Sequence, residues 1–294
     1  MATTAAHLQG SAANRHWRWF TNHLASFLAV GSTVLVIAPL VAIFVDLVYK
    51  GTTSLNLAFF TKLPVPPGES GGGMANAIVG SAVVLGLASA MGVPVGIAAG
   101  IYLAEFGRGT KMSNVVRFTA DVLNGVPSIV MGIAVYALIV VPERGFSAFA
   151  GGVVLGIMMI PTVARTTEEM LLMVPHSIRE AALGLGVPNW RAMLSITLKT
   201  AMPGVITGCM LAFARIAGET APLLFTAFGN NFWSTALNQP IEALPLQIYV
   251  YALGPYDDWH RLAWAGSLVL IVLIVVAVAL VRYVTSRGVL KGNG

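Results

Sequence analysis

Apolar residues occur along this chain in long stretches that are separated by shorter polar segments. A bilayer core about 30 Å thick requires about 20 mostly apolar residues from each helix that crosses it. The pattern therefore predicts an all-α polytopic membrane protein with six transmembrane helices. The predicted spans are residues 24–48, 75–103, 122–141, 149–163, 202–225 and 262–284.

The first three spans contain features that bear on their structure. The span 24–48 is longer than the apolar region of a signal peptide, and Asp46 makes a poor approach to a cleavage site, so we predict a retained anchor. Gly92 and Pro94 mark the expected weak point of the second span, and Pro127 lies in the first turns of the third.

Basic residues are distributed unevenly between the two sides of the predicted membrane. The N-terminal tail, the second and fourth loops and the C-terminal tail hold Arg15, Arg18, Arg108, Lys111, Arg117, Arg165, Arg179, Arg191, Lys199, Arg282, Arg287 and Lys291. The opposite side holds Lys50, Lys62, Arg144 and Arg261. Because Lys and Arg concentrate in cytoplasmic loops, this pattern places both termini in the cytoplasm. Residues 1–23 and 285–294 are then the cytoplasmic tails of one membrane domain, residues 24–284.

The composition agrees with lipid as the main solvent of the chain. Hydrophobic residues make up 56% of it, charged residues 10%, and the mean hydropathy is +0.80, which lies outside the range of soluble domains. The net charge is +5, but the basic residues are scattered singly, which argues against a nucleic-acid-binding surface. The single cysteine, Cys209, excludes an internal disulfide and a cysteine-based metal cluster.

The sequence contains no motif for nucleotide hydrolysis or metal binding. Residues 107–111 come nearest to the G-x-x-x-x-G-K-[ST] motif, but their spacing is wrong. There is no H-E-x-x-H string, and the five histidines are isolated. We therefore predict that the chain is not an enzyme and binds no metal or cofactor itself. ATP chemistry, with its Mg²⁺, must come from a partner.

The segment between the fourth and fifth spans, within a loop at about residues 165–200, is the most informative. Ser177 followed by Glu180 is typical of a capping box and predicts a short helix from Ile178. Gly184, Gly186 and Pro188 should end that helix, and Asn189 can cap a second one. Ala181 and Ala182 would present a small-residue face to another protein. From local physics alone, an ordinary surface helix under the bilayer is the alternative.

This segment resembles the EAA loop of permeases of binding-protein-dependent ATP-driven importers. The matching positions are Glu180, Ala181, Ala182, Gly186, Ile196 and Leu198. The resemblance implies a coupling helix that docks in a groove of a cytoplasmic ATPase. The family often has proline directly after the leucine, whereas this chain has Lys199 there and Pro203 four residues later.

Two charged residues lie within the predicted fifth span. Arg215 is about thirteen residues from its predicted start, roughly 20 Å at 1.5 Å per residue, and Glu219 follows one turn later. The two are expected to pair on one helical face. They are interpreted either as a structural pair or as a gate that contacts an anion transiently, since the planar guanidinium group suits an oxyanion.

Further charges lie near the inner end of the fourth span. Arg165, Glu168 and Glu169 are interpreted as interfacial anchors, with a cytoplasmic exit or an inter-subunit contact as the alternative. Asp46 and Asp121 are expected at helix boundaries.

Several strings resemble the PstA-type permeases of ATP-binding-cassette phosphate importers. They include residues 160–169 (Ile-Pro-Thr-Val-Ala-Arg-Thr-Thr-Glu-Glu), 214–223 (Ala-Arg-Ile-Ala-Gly-Glu-Thr-Ala-Pro-Leu) and 229–233 (Gly-Asn-Asn-Phe-Trp). The resemblance implies a type I importer permease of MetI-like architecture in the bacterial inner membrane. It also implies a PstC-like second permease, two PstB-like ATPase subunits and a PstS-like extracytoplasmic phosphate-binding protein. By the same resemblance, Arg215 and Glu219 match charged positions that matter for transport.

These observations favour a permease that moves phosphate by alternating access, driven by its partner ATPases. A permease of the same architecture for another oxyanion, such as sulfate or molybdate, remains open, because one arginine does not choose among anions. An ion-coupled secondary transporter or channel is a further alternative, although it leaves the EAA loop unexplained.

Overall fold

The computed structural model describes residues 12–69, 71–107 and 109–291, with side chains from Trp17 to Thr285. Within these residues every extended regular element is helical, and Phe228 and Ile241 form an isolated β-bridge. Some residues used in the predictions have side chains outside the described part, namely His7, Arg15, His16, Arg108, Arg287 and Lys291. The described chain divides after Lys50 into two compact units. The prediction of one domain over residues 24–284 stays a prediction.

Helix α1 spans Ala12–Ser54, and the unit that ends at Lys50 contains most of it. It begins well before the predicted start at residue 24, so residues 12–23 of the predicted tail are helical. Asp46 lies inside the helix instead of at its boundary, and its carboxylate pairs with the Lys50 ammonium group one turn later at 2.8 Å.

The second unit contains the remaining helices. These are α2 (Leu57–Thr61), α3 (Ala75–Ile101), α4 (Lys111–Gly125), α5 (Ser128–Val135), α6 (Val141–Glu143), α7 (Ala148–Leu172), α8 (His176–Gly184), α9 (Asn189–Ala192), α10 (Leu198–Ala217), α11 (Ala221–Thr226), α12 (Leu244–Leu253) and α13 (Asp257–Lys291). Three π-helical segments, Tyr102–Phe106, Tyr136–Val140 and Met193–Thr197, extend or join them.

In the described part of the chain, five helices are long and apolar enough to cross a membrane. A sixth crossing is obtained if α4 and the helix Ser128–Glu143 count as one broken span, although they are bent by 105°. The predicted continuous span 122–141 is therefore wrong. Pro127 is the physical reason, because proline lacks an N–H and disfavours a helical conformation in the preceding residue. Val126 accordingly has an extended backbone, with φ −70° and ψ 130°.

Helices α3 and α7 form the closest pair in the centre of this unit. A Cβ atom placed on Gly92 would lie 2.9 Å from the Gly156 carbonyl oxygen, and one on Gly96 would lie 2.6 Å from the Val163 Cβ. Gly92, Gly96 and Gly100 recur every four residues on one face of α3, which lets the helix backbones approach closely. Helix α3 remains helical through Gly92 and Pro94, the expected weak point.

The fifth and fourth predicted spans have different bounds in the structure. Helix α9, the π-helical segment Met193–Thr197 and α10 run without interruption, so the long helix covers Asn189–Ala217 instead of residues 202–225. Helix α7 continues past residue 163 to Leu172, which places residues 165–172 of the predicted loop inside a helix.

A smaller apolar core lies at the N-terminal end of α3. It includes the buried side chains of Phe59, Met74, Leu244, Tyr251 and Val269. These residues come from α2, α12, α13 and the start of α3, so this core packs three other helices against the N-terminal end of α3.

Candidate functional site

The segment that matches the EAA loop folds as helix α8, but its start differs from the prediction. The helix begins at His176, Pro175 is the N-cap residue, and no side chain of the described residues caps it. The predicted capping box is therefore wrong, because Ser177 already lies inside the helix. Proline is compatible with this position because its fixed φ suits a helix start and no N–H is required there.

The end of α8 follows the prediction more closely. The helix ends at Gly184, and Gly186 has a φ of +79°, which turns the chain toward α9. Pro188 is the N-cap residue of α9, so Asn189 does not cap it as expected.

Helix α8 is exposed over most of its surface. Glu180, Ala181 and Gly186 are exposed, whereas Ala182 is only 4% exposed and packs inward. The predicted face carrying both alanines is therefore wrong, because residues adjacent in sequence point in different directions on a helix. Leu185, the C-cap residue, is 85% exposed and adds an apolar side chain to this surface.

An ion pair joins α8 to the end of α3. The Arg179 guanidinium group donates to the Glu105 carboxylate in the π-helical segment Tyr102–Phe106, and both side chains are largely buried. Glu105 lies in a π-helical turn, and such turns are frequent at functional sites. Sequence patterns do not reveal this pair, since 74 residues separate its members.

A second charged cluster joins α4 to α7. The buried Glu168 carboxylate accepts from the Arg117 Nε at 2.8 Å and lies 2.7 Å from its Nη2. Arg165 lies 3.4 Å from Glu168 and 3.5 Å from Asp121. Asp121 lies inside α4 and is not the boundary residue that was expected. Glu169 is exposed. The sequence carries a signal only for the α4 side of this cluster, because Arg117 and Asp121 share one face of that helix, whereas their pairing with α7 depends on tertiary packing.

Arg215 and Glu219 do not form the predicted helical pair. Helix α10 ends at Ala217 and Gly218 follows as its C-cap, so Glu219 lies beyond the helix. Within the described residues neither side chain takes part in an ion pair. Arg215 is exposed in the last turn, roughly 40 Å from Asn189 at 1.5 Å per residue. It therefore lies at the far end of the long helix instead of halfway along it.

The string at residues 107–111 has a structural role in the described part of the chain. Gly109 has a φ of +74°, and the Thr110 hydroxyl accepts from the Ser113 N–H at 3.2 Å to cap α4. Among the described residues, no group of three or more His, Cys, Asp or Glu side chains is placed to hold a metal ion.

The described residues thus place an exposed short helix between helices that are long and apolar enough to cross a membrane. A family model described as the binding-protein-dependent transport system inner membrane component matches residues 92–288. Because the match covers more than half of the chain, the chain belongs to this family.

Individual relatives agree with the PstA-type resemblance, which they confirm. The chain is 43% identical to the phosphate transport system permease protein PstA of Yersinia pestis, over 98% of this chain and 97% of that protein. It is 50% identical to the protein of the same name from Xylella fastidiosa (strain Temecula1 / ATCC 700964), over 78% of this chain and 79% of that protein.

A solved structure supports the fold. A chain of the inward-facing MetNI methionine ABC transporter matches with a TM-score of 0.56 and 20% identity, covering 74% of this chain and 96% of that chain. The prediction of an all-α importer permease of MetI-like architecture is therefore confirmed.

Proposed function

We propose that this chain is the transmembrane permease subunit of an ATP-driven importer of inorganic phosphate. The 43% identity to a phosphate transport system permease over 98% of the chain carries this proposal. The chain itself hydrolyses nothing and holds no cofactor. Two PstB-like subunits bind ATP and Mg²⁺, a PstC-like permease completes the pathway, and a PstS-like extracytoplasmic protein delivers phosphate. The complex lies in the bacterial inner membrane, with both termini of this chain in the cytoplasm.

Helix α8 is the proposed docking element for an ATPase subunit. Its exposed Glu180 and Ala181 are available to a groove on the partner, and the exposed Leu185 adds apolar contact area. The helix has two connections to the membrane helices, through Arg179 to Glu105 at the end of α3 and through α9 to α10. Movement of α8 would therefore displace two long helices together, which is what alternating access requires.

Arg215 is the proposed anion contact on the pathway. Its guanidinium group is exposed and, within the described residues, has no carboxylate to neutralise it, so it can attract a phosphate oxyanion. Glu219 remains close in sequence and would limit how tightly an anion is held. A weak contact is expected, because a pathway that binds its substrate strongly does not release it. Arg165, Glu168 and Glu169 are proposed to shape the pathway near its cytoplasmic end.

The proposal is tested in proteoliposomes that contain the complete complex. We expect phosphate uptake that requires ATP and the loaded binding protein and that persists after ion gradients are collapsed. Uptake by this chain alone, driven by an ion gradient, would support a secondary transporter instead. Preferential uptake of sulfate or molybdate would show that one of these oxyanions, and not phosphate, is the substrate.

Two substitutions test the residue roles within the same preparation. Arg215→Gln should lower phosphate uptake severely without affecting assembly, whereas Arg144→Gln, a change at an exposed loop arginine, should not. Glu180→Lys should uncouple ATP hydrolysis from uptake, with Glu143→Lys as its matched control. Normal uptake by Arg215→Gln would exclude the anion contact proposed for Arg215. Normal coupling in Glu180→Lys would exclude the docking role proposed for α8.

A further inference from the structure

A cavity of about 480 Å³ lies among the loops at the N-terminal end of α3. Its lining includes the proline-rich segment 63–67, the segment 228–232, part of α12 and Trp259. We call it the loop cavity. Asn76, in the first turn of α3, donates to the Asn230 carbonyl at 2.7 Å and so holds the cavity at this end of the helix.

The loop cavity and α8 lie at opposite ends of α3. Asn76 contacts the lining of the cavity, whereas Glu105, just beyond the last turn of α3, pairs with Arg179 of α8. Asn76 and Glu105 are 29 positions apart, which corresponds to roughly 40 Å at 1.5 Å per residue. If α8 meets the cytoplasmic ATPase, the loop cavity faces the extracytoplasmic side.

The Glu242 carboxylate lines this cavity and is 6% exposed. Its Oε1 accepts from the Ala243 N–H and its Oε2 from the Asn230 N–H, both at 3.2 Å. In the described part of the chain no basic side chain forms an ion pair with it. Burial raises the pKa of Glu242 to about 7, although the two backbone hydrogen bonds oppose this shift.

The backbone around this carboxylate is unusual. Phe228 has a φ of +64° and Gly229 one of +86°, so two consecutive residues adopt left-handed conformations. A Cβ atom on Gly229 would lie 2.8 Å from the Glu242 Oε2, which explains the need for glycine there. Non-glycine residues with positive φ are costly and cluster at functional sites. The strained turn aims the Asn230 N–H at Glu242.

Aromatic rings form much of the remaining lining. Tyr251 stacks on Trp259, with ring centroids 4.8 Å apart, and the lining residues Phe228 and Phe232 are 60% and 74% exposed. Aromatic faces attract cations, and a carboxylate forms charge-assisted hydrogen bonds with ammonium and guanidinium groups. The volume is many times the ~30 Å³ that one water molecule occupies, so a bare ion would leave most of it empty. The lining therefore suits a cationic group on an extended side chain and disfavours a free anion.

We propose that the loop cavity accepts a lysine or arginine side chain of the extracytoplasmic binding protein, with Glu242 as its counter-ion. This inference rests on the proposed function, which supplies the partner. Charge complementarity favours a basic side chain as the occupant. Docking would give the buried Glu242 carboxylate a cationic partner, which it otherwise lacks among the described residues. The exposed Phe232 would contact the surface around that side chain.

The test measures binding of the phosphate-loaded binding protein to the complete transporter in nanodiscs made without phosphatidylethanolamine. Glu242→Gln should weaken this binding at least tenfold at pH 8. Glutamine has nearly the shape of the protonated carboxyl group, which the site already accommodates near neutral pH. Glu69→Gln, a change at an exposed loop carboxylate outside the cavity, should leave the affinity unchanged.

The pH dependence provides a second measurement. Because the pKa of Glu242 is about 7, its carboxylate is mostly ionised at pH 8 and mostly protonated at pH 6, so wild-type affinity should fall on acidification. Tyr251 is the titratable neighbour, and burial raises its pKa above the usual value, so it stays neutral over this range. Glu242→Gln should lose most of the pH dependence.

Equal affinities of wild type and Glu242→Gln at pH 8 would overturn the proposal. Binding of phosphatidylethanolamine or of an inorganic cation in the cavity of the wild type, in place of the binding protein, would also overturn it. Either result would assign the cavity to another ligand. Binding and phosphate uptake are measured separately. If Glu242→Gln weakens binding in a complex that imports another anion, this inference is supported. Only the proposal that phosphate is the transported anion is then overturned.

Discussion

Replacement of Gly100 by alanine tests the close approach of α3 and α7. A Cβ atom at this position would lie 2.5 Å from the Thr167 Cβ and 2.6 Å from the Ala164 carbonyl oxygen. Ordinary contacts of this kind are 3.4–4 Å long. The neighbouring atoms include backbone, which cannot rotate away, so the two helices must separate by about 1 Å locally.

The expected cost follows from this displacement. Overpacking a well-packed contact typically destabilises a protein by about 1–3 kcal/mol, and separating two helices also forfeits dispersion contacts along them. Alanine favours a helix over glycine by up to about 1 kcal/mol, which offsets part of this cost. We therefore expect Gly100→Ala to lower the free energy of unfolding by about 1–2 kcal/mol.

Gly86 provides a matched control in the same helix. A Cβ atom there has no neighbour within 4 Å in the described structure, so Gly86→Ala should gain helix propensity without a clash. The single cysteine, Cys209, is 5% exposed on α10 and can report unfolding when a thiol-reactive dye reaches it. The measurement is the temperature at which Cys209 becomes reactive in detergent-purified protein. If Gly100→Ala and Gly86→Ala unfold at the same temperature, the close packing of α3 on α7 is not as described.

Two charged contacts give further predictions. Glu168→Gln removes the counter-ion of Arg117 and should lower the free energy of unfolding by about 2 kcal/mol. Glu169→Gln, a change at an exposed position, should not lower it. Equal unfolding temperatures of the two variants in the dye assay would contradict this prediction. Arg179→Glu or Glu105→Arg should each reduce the uptake per ATP hydrolysed, because the link between α8 and α3 is lost, and the double exchange should restore it. Failure of the double exchange to recover uptake per ATP would show that the ion pair does not carry the coupling.

The candidate site shows how far local patterns could be used. Local sequence placed a short helix within two residues of the observed start of α8, because such a helix depends on residues adjacent in sequence. Arg165 and Glu168 were selected as charges near a helix end, but their partners Arg117 and Asp121 come from another helix. Glu242 was not selected at all, because its burial depends on loops that are distant in sequence.

Sequence alone determined the membrane class, most of the long helices and the segment that matches the EAA loop, because hydropathy and short motifs depend on neighbouring residues. Only the structure showed which prolines and glycines end a helix, since Pro94 lies inside α3 whereas Pro127 ends α4, and which helix faces meet. Pro127 separates α4 from α5, and Gly218 removes Glu219 from the helix of Arg215. Such breaks depend on competition between local backbone preference and packing against distant segments. The Glu168 cluster and the unpaired Glu242 arise from the same packing, which linear spacing does not encode.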